Sequence, residues 1–241
     1  MREKPHDGRL PVSEPITAHS ASGSLLSPSG VQRLNLYYFP GASSLAVHIL
    51  LREAGLAFSL RRVDLATHLT DSGQNYYELN ANGQVPLLEL DDGRRLTQQA
   101  IIAQYVCDLA GRTDLMPSAG TMARYRVMEW QNHIATELHK GFSPLFWPVA
   151  GEAREQVISR LHRRFHRLDD HLCETLFLTG HDFTAADAYL FVLACWGAYF
   201  GLDMAPYHHL KLYLKTISKR TSVMAALEAE GEGLVLAKAF A

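Results

Sequence analysis

Residues 80–93 read NANGQVPLLELDDG, and residues 94–111 continue as RRLTQQAIIAQYVCDLAG. The apolar run VPLLEL predicts a strand, Asp92-Gly93 is a hairpin turn signal, and RRLTQ predicts an antiparallel partner strand. The helical spacing that begins at QQAIIAQ stops at Gly111, a common helix C-terminal residue. The stretch therefore predicts a β-β-α unit.

The segment before this unit has the pattern of a β-α-β unit. LNLYYF predicts a strand that is broken by Pro40-Gly41, and SSLAVHILLREAG follows with helical spacing. FSLRRVDL, residues 58–65, alternates like a second strand. A right-handed β-α-β unit followed by a hairpin and a helix is a thioredoxin-like arrangement, which we expect over residues 34–112.

The rest of the chain differs in character. Residues 113–120, TDLMPSAG, read as a linker, and residues 121–241 read as helices with no strand pattern of similar quality. We therefore expect an α/β thioredoxin-like domain followed by an all-α domain. Residues 1–33 are rich in Ser, Pro, Gly and charge and predict a disordered tail. A misassigned start is the alternative, since Val31 directly precedes the first strand pattern.

Composition and charge indicate which kinds of molecule the protein is expected to bind and in which compartment we expect it. The 241 residues carry a formal net charge of −2, which gives no electrostatic footprint for nucleic acid or an anionic membrane. The longest uncharged run, residues 188–202, has 15 residues and is too short to span a bilayer. The N-terminus lacks the apolar segment of a signal peptide. Three cysteines without a CxxC motif fit a reducing compartment, and we expect a cytoplasmic protein.

Two other kinds of site find no support. His162 and His166 are four residues apart on a predicted helix, but arginines surround them and no acidic ligand is interleaved, so we predict no metal site. The chain has neither GxGxxG nor a phosphate-binding loop motif.

Thr184 and Asp187 in FTAADAYLF form a capping box ahead of the apolar run. Its predicted role is folding of a core helix rather than chemistry, and a cap of this kind is worth about 1 kcal/mol.

Four segments, in order, carry a family resemblance. They are YYFPGASSLAVHILLREAGL at 37–56, NANGQVPLLELDDG at 80–93 with the LTQQAIIAQYV that follows, ELHKGFSPLF at 137–146 and FTAADAYLF at 183–191. From about residue 34 to the C-terminus the chain resembles the beta class of bacterial glutathione transferases. The resemblance implies glutathione as co-substrate, a homodimer and a role in detoxification.

The resemblance places glutathione against two segments. Val85-Pro86 is expected to be cis, which turns the Val85 backbone outward to pair with the extended cysteinyl part of glutathione. Gln98 and Gln99 open a helix whose N-terminus suits the γ-glutamyl carboxylate. Gln98 matches the family, whereas Gln99 stands where Ser or Gly is usual and removes the usual hydroxyl contact.

Ser43 occupies the position of the cysteine of beta-class enzymes, because the chain reads Gly41-Ala42-Ser43-Ser44. A serine cannot exchange thiols, but it can donate a hydrogen bond to a glutathione thiolate at a helix N-terminus. The alternative is a simple helix N-cap. Tyr38 is a second candidate donor, and packing in the core is its alternative role.

The resemblance points to further residues near the ligand. His139, in ELHKG, is expected to face the sulfur of glutathione, where its ring can form a hydrogen bond or share a proton. The alternative is that His139 and Lys140 are a pair of cations at the C-terminal end of a helix, where positive charge is favourable. Lys140 is a further candidate binding residue. His68 falls where a basic residue lies near the glycine carboxylate. Aromatic residues after ELHKG can line an apolar pocket or belong to the core: Phe142, Phe146 and Trp147.

We therefore expect a transferase that adds the glutathione thiolate to a small hydrophobic electrophile. The alternative is a non-catalytic protein of the same fold that serves in binding or regulation, which the loss of the cysteine and Gln99 would favour. A disulfide reductase is disfavoured because no thiol stands at position 43.

Overall fold

The computed structural model describes residues 33–231. The predicted disordered tail lies almost entirely outside the described residues, as do the last ten residues of the predicted helical domain. The predicted fold class is confirmed: a thioredoxin-like α/β domain is followed by a helical domain. The domain boundaries given above stay predictions.

The first domain is built on one mixed sheet. Its strands are β1 (Leu34–Tyr38), β2 (Phe58–Asp64), β3 (Leu69–Thr70), β4 (Leu87–Glu89) and β5 (Arg95–Thr97). They lie in the order β3-β2-β1-β4-β5. β1 pairs in parallel with β2 and antiparallel with β4, and β4 pairs antiparallel with β5.

The predicted loop after β2 is more ordered than its sequence indicates. It contains the short edge strand β3, antiparallel to β2, and a single 3-10 turn over Tyr76–Glu78. Side chains close these turns locally, because Asn75 accepts from the Tyr77 N–H and the Thr70 hydroxyl accepts from the Gln74 N–H. Such Asx and hydroxyl turns have no periodicity and escape a pattern search.

Two helices complete this domain, α1 (Ser44–Glu53) and α2 (Gln99–Leu109). Every residue of α1 from 44 to 51 is buried. The reason is that α1 packs against α2 and also against two helices of the second domain, α6 and α8. The start of α1 is therefore fixed by both domains.

The named elements of the second domain are all helical within residues 33–231, and an isolated β-bridge joins Phe177 to Gly180. Its helices are α3 (Met122–His133), α4 (Lys140–Phe142), α5 (Gly151–Glu174), α6 (Ala185–Tyr199), α7 (His208–Ser218) and α8 (Thr221–Glu230). A π-helical segment, Ile134–His139, joins α3 to α4, and a 3-10 turn, Ser143–Phe146, follows. No helix within residues 33–231 is long and apolar enough to cross a membrane.

Residues 122–142 do not form one continuous α-helix, because a π-helical segment interrupts it. A π-helix has a wider turn than an α-helix, so the residues after it are rotated relative to a continuous α-helix. The Thr136 hydroxyl donates to the Asn132 carbonyl at 2.9 Å, a back-bond that often accompanies helix bending. His139 is the last residue of the π-helical segment.

The predicted capping box forms at the start of α6. The buried Asp187 carboxylate accepts from the Thr184 N–H and hydroxyl, each at 2.8 Å, and from the Leu178 N–H and the Tyr213 hydroxyl, each at 2.9 Å. One carboxylate therefore joins the start of α6 to the preceding loop and to α7.

Asp187→Ala should lower the free energy of unfolding by about 3 kcal/mol or more, because several buried donors lose their acceptor. Urea unfolding followed by circular dichroism measures the effect. Asp182→Ala, on an exposed residue of the same loop, is the matched control and should stay within about 0.5 kcal/mol of the parent. Equal stability of the two variants would contradict a folding role for Asp187.

Candidate active site

The Val85-Pro86 peptide is cis, as predicted. The segment before it is held by the preceding turn, since the Gln84 carbonyl accepts from the Tyr76 hydroxyl at 2.9 Å and from Asn80 Nδ2 at 2.6 Å. Within residues 33–231, the N–H and C=O of Val85 make no backbone hydrogen bond. They are free to pair with an extended peptide in the way an added strand would.

Gln98 and Gln99 lie at the N-terminus of α2. Gln98 is exposed and has a φ of 70°, a left-handed conformation that is unusual outside glycine and concentrates at functional sites. Gln99 is buried, and neither its amide nitrogen nor its amide oxygen has a partner among the described residues. Within residues 33–231, the N–H groups of Gln99 and Ala100, the first two of α2, also make no backbone hydrogen bond. The corner thus presents unpaired donors, as a carboxylate site requires.

Ser43 lies at the start of α1 but does not cap it, so the simple N-cap role was wrong. Its backbone is helical, with φ −59° and ψ −17°, whereas a capping side chain needs an extended backbone to reach the following N–H groups. Ser44 instead closes this turn through hydrogen bonds with the backbone of Phe39. The Ser43 hydroxyl is left without a hydrogen bond to any described residue.

The turn before Ser43 is held by the helical domain. The Gly41 N–H donates to Glu230 Oε2 at 3.1 Å, and the Gly41 carbonyl accepts from Trp196 Nε1 at 2.8 Å. Gly41 has a φ of 70°, which favours glycine. We call this pair of contacts the Gly41 clamp. Nothing in the local sequence pattern pointed to Glu230 or Trp196.

A buried histidine fixes the carboxylate of the clamp. His48 Nδ1 lies 2.8 Å from Glu230 Oε1, and both side chains are fully buried. Because Arg52 Nε donates to His48 Nε2 at 2.9 Å, the ring proton is on Nδ1 and is donated to Glu230. α1 and the end of α8 are thus joined through the same carboxylate that holds Gly41.

His139 faces α6 from the other side of the clamp. Its Nδ1 lies 2.7 Å from the hydroxyl of Tyr189, and its ring packs edge-on against Trp196 with centroids 5.1 Å apart. Trp196 therefore contacts both His139 and Gly41. Burial, and then the charge of Lys140, lower the pKa of His139 to about 4, so the ring is neutral at physiological pH.

The three predicted aromatic residues after ELHKG differ in their exposure. Phe146 is half-exposed and packs edge-on against Trp196 and Phe200. Phe142 is fully buried and belongs to the core, whereas Trp147 is mostly exposed. Of the three predicted aromatic residues, Phe146 is the one that is partly exposed and packs on Trp196, the indole that also contacts His139.

The remaining predicted site residues are Tyr38, Lys140 and His68. Tyr38 is buried in the core, the alternative role given above, and burial raises the pKa of its hydroxyl, so the group stays protonated at physiological pH. Lys140 is exposed and forms no ion pair with a described residue. His68 has a φ of 54° and stacks on Tyr77 with ring centroids 4.4 Å apart, above Gly83.

No cluster of three or more side chains able to hold a metal ion occurs within residues 33–231.

The low pKa of His139 predicts an effect of pH on stability. The unfolded chain protonates this ring near its ordinary value of 6.5, above the folded value, so its contribution is complete above pH 6.5 and is lost as pH falls toward 4. Urea unfolding at about pH 7 and about pH 5 should show a larger acid loss for the parent than for His139→Gln. The other histidines cancel in this comparison, and equal losses would rule out a buried neutral ring at position 139.

Comparison with known families agrees with this geometry. The description "Glutathione S-transferase, N-terminal domain" matches residues 42–109, and "Glutathione S-transferase, C-terminal domain" matches residues 133–221. The first match covers the start of α1, the cis peptide and α2. The second contains His139 and Trp196.

Individual relatives match over the same region. Glutathione S-transferase GstA of Escherichia coli O157:H7 is 40% identical over 199 residues, which cover 82% of this chain and 99% of that protein. The structure of a sphingomonad glutathione S-transferase complexed with glutathione is 39% identical, has a TM-score of 0.79, and matches over 82% of this chain and 98% of that one. A bacterial beta class glutathione S-transferase of Sphingomonas chungbukensis is 40% identical with a TM-score of 0.79, over 82% and 99%. With its fold, its cis Val85-Pro86 peptide and both domain matches, the chain belongs to the glutathione S-transferase family.

Proposed function

We propose that this glutathione S-transferase is a beta-class variant that conjugates reduced glutathione to small hydrophobic electrophiles without a thiol of its own. The observation that carries the proposal concerns Ser43, which is a buried residue at the start of α1 and whose hydroxyl makes no hydrogen bond within residues 33–231. A hydroxyl donor and the positive end of a helix both favour a thiolate over a thiol. Ser43 would therefore stabilise the sulfur nucleophile rather than react with it.

The rest of glutathione would occupy the groups described above. The free backbone of Val85 would pair with the cysteinyl residue, beside Pro86. The γ-glutamyl carboxylate would lie at the N-terminus of α2, near Gln98 and Gln99. His68 would hold the glycine carboxylate, and Lys140 would add positive charge at the rim of the site.

Disulfide reduction is the less favoured chemistry. Position 43 has no thiol, and burial raises the pKa of Cys107 to about 12 and raises that of Cys195 as well. Cys173 is exposed and lies on α5. A buried neutral thiol is a poor nucleophile, so neither Cys107 nor Cys195 can replace the missing cysteine. The relatives quoted above are transferases by name, which favours the catalytic function over the non-catalytic alternative.

We further propose a cytoplasmic homodimer with a detoxifying role. Three large apolar side chains are exposed on two helices, Ile101 on α2 and Met122 and Tyr125 on α3. They belong to different domains, which fits a two-fold interface where each thioredoxin-like domain contacts the partner's helical domain.

Ser43→Ala should slow conjugation with a small aryl halide most strongly near pH 6–7. Without the hydroxyl the pKa of the bound thiol rises, and one pKa unit corresponds to about 1.4 kcal/mol, or tenfold in thiolate at low pH. The loss should shrink at high pH, where the thiol ionises unaided. The pH profile of kcat/KM measures this, and a parent-like rate at every pH would exclude Ser43 as the donor.

Ser43→Cys tests whether a thiol at position 43 would form a disulfide with glutathione. A cysteine at a helix N-terminus gains thiolate character and should form a mixed disulfide with glutathione. Intact mass should then increase by one glutathione per chain, reversibly with a reductant, whereas the parent should show no such adduct at this position.

Light scattering at micromolar concentration should give twice the chain mass of 26.9 kDa. An Ile101→Glu, Tyr125→Glu variant should shift the mass toward that of one chain, because two charges would be buried in the interface. A monomeric parent would contradict the dimer.

A further inference from the structure

The hydrogen bond between Tyr189 and His139 determines what His139 can do. Tyr189 lies on α6 and is almost fully buried, and its hydroxyl is 2.7 Å from His139 Nδ1. The two residues are 50 positions apart in the sequence. Among the described residues, the Tyr189 hydroxyl has no second hydrogen-bond partner.

The direction of this hydrogen bond follows from burial. Were His139 Nδ1 the donor, the hydroxyl proton of Tyr189 would be buried without an acceptor, which is unfavourable. Were Tyr189 the donor, both groups would be satisfied. Burial also raises the pKa of Tyr189, so its proton is present throughout the physiological range. Tyr189 therefore donates, and Nδ1 accepts.

The tautomer of His139 follows from the direction of the bond. A neutral imidazole carries one proton, and with Nδ1 accepting, that proton is on Nε2. Within residues 33–231, Nε2 has no hydrogen-bond partner, so the N–H is available to a ligand. The single lone pair of the neutral ring is already used by Tyr189, which leaves no nitrogen able to take a proton from a thiol.

We propose that Tyr189 is a positioning residue that fixes His139 as an Nε2–H hydrogen-bond donor to the sulfur of bound glutathione and prevents it from acting as a general base. The proposal rests on the proposed function for its ligand. Trp196 supports the geometry, because the indole that packs edge-on against the His139 ring also holds the Gly41 carbonyl, two residues before Ser43. Ser43 and His139 would then donate to one thiolate from the two domains.

Nitrogen NMR of the histidine rings tests the tautomer of His139 in the parent protein without a ligand. The probe is the uniformly nitrogen-labelled chain at about pH 7.5, and His139 is identified by the signal missing in His139→Gln. We expect an Nε2–H tautomer with an unprotonated Nδ1. In Tyr189→Phe the Nδ1 resonance should move downfield, because the nitrogen no longer accepts a hydrogen bond. An Nδ1–H tautomer in the parent, or an unmoved resonance in Tyr189→Phe, would overturn the proposal.

Tyr213→Phe is the matched control, since it removes another buried phenol hydroxyl, the one that donates to Asp187. It should reduce stability and leave the His139 resonances unchanged. A change at His139 in this variant as large as in Tyr189→Phe would mean that the signal reports general loosening, and would overturn the proposal.

Conjugation kinetics test whether the Nε2–H group of His139 contributes to the reaction. Gln at position 139 places an amide N–H near the former Nε2, whereas Asn places it near Nδ1, so His139→Gln should keep more activity than His139→Asn. Tyr189→Phe should lower kcat/KM about tenfold, the scale of one hydrogen bond to a charged group. In a His139→Gln background the same change should have almost no effect. Fully additive losses, or higher activity with Asn, would contradict the donor role.

Different results would overturn the proposed function and the assignment of the His139 proton. A parent protein with the predicted tautomer that binds no glutathione would overturn the proposed function and support the assignment of the proton. A parent protein that conjugates glutathione but shows an Nδ1–H ring would do the reverse.

Discussion

The backbone of Gly41 is held from both sides by the helical domain, and the geometry of the proposed site depends on this clamp. Glu230, at the end of α8, accepts its N–H, and Trp196, on α6, donates to its carbonyl. The turn leads directly into α1, so the clamp fixes where the helix starts and where the Ser43 hydroxyl lies. Trp196 also packs against His139, so the same indole contacts residues that both domains contribute to the proposed site. The thioredoxin-like fold supplies the cis peptide and the α2 N-terminus, and the helical domain holds the turn before Ser43.

The Gly41 clamp depends on buried polar groups, whose removal from water is unfavourable. Placing the Glu230 carboxylate and the His48 ring in a fully buried environment removes both from water, and buried polar pairs of this kind seldom add much net stability. Each of their described polar atoms has a partner, as such a network requires. An apolar pair could fill the same volume, but it could not accept the Gly41 N–H. The network thus contributes orientation, and the stability of the contact comes from the apolar face of α1, which is buried from residue 44 to 51.

Local features of the fold could be predicted from the sequence, and long-range contacts could not. The β-α-β unit, the hairpin at Asp92-Gly93 and the capping box at Asp187 each have a periodicity or a spacing of a few residues. Glu230 lies 189 positions from Gly41 and Trp196 lies 155, and neither stands in a pattern that marks a partner. Tyr189 was passed over because it lies in an apolar run that reads as core, which it also is. A simple N-cap was one of the two roles that the sequence left open for Ser43, because serine favours that position, but its helical backbone turns the side chain away from the role. The hydroxyl that does not cap α1 is the one that the proposed function uses.

Isothermal titration of reduced glutathione into the parent and into Glu230→Gln tests the central claim most directly. Gln is isosteric with Glu but has one oxygen and one NH₂, so either Gly41 N–H or His48 Nδ1–H must face a donor. If the helical domain positions the glutathione site through Gly41, the parent binds glutathione and the variant, still folded, binds about tenfold more weakly, the scale of one disrupted hydrogen bond to a charged group. Equal affinity in a folded variant, or no binding by the parent at millimolar glutathione, would contradict the account.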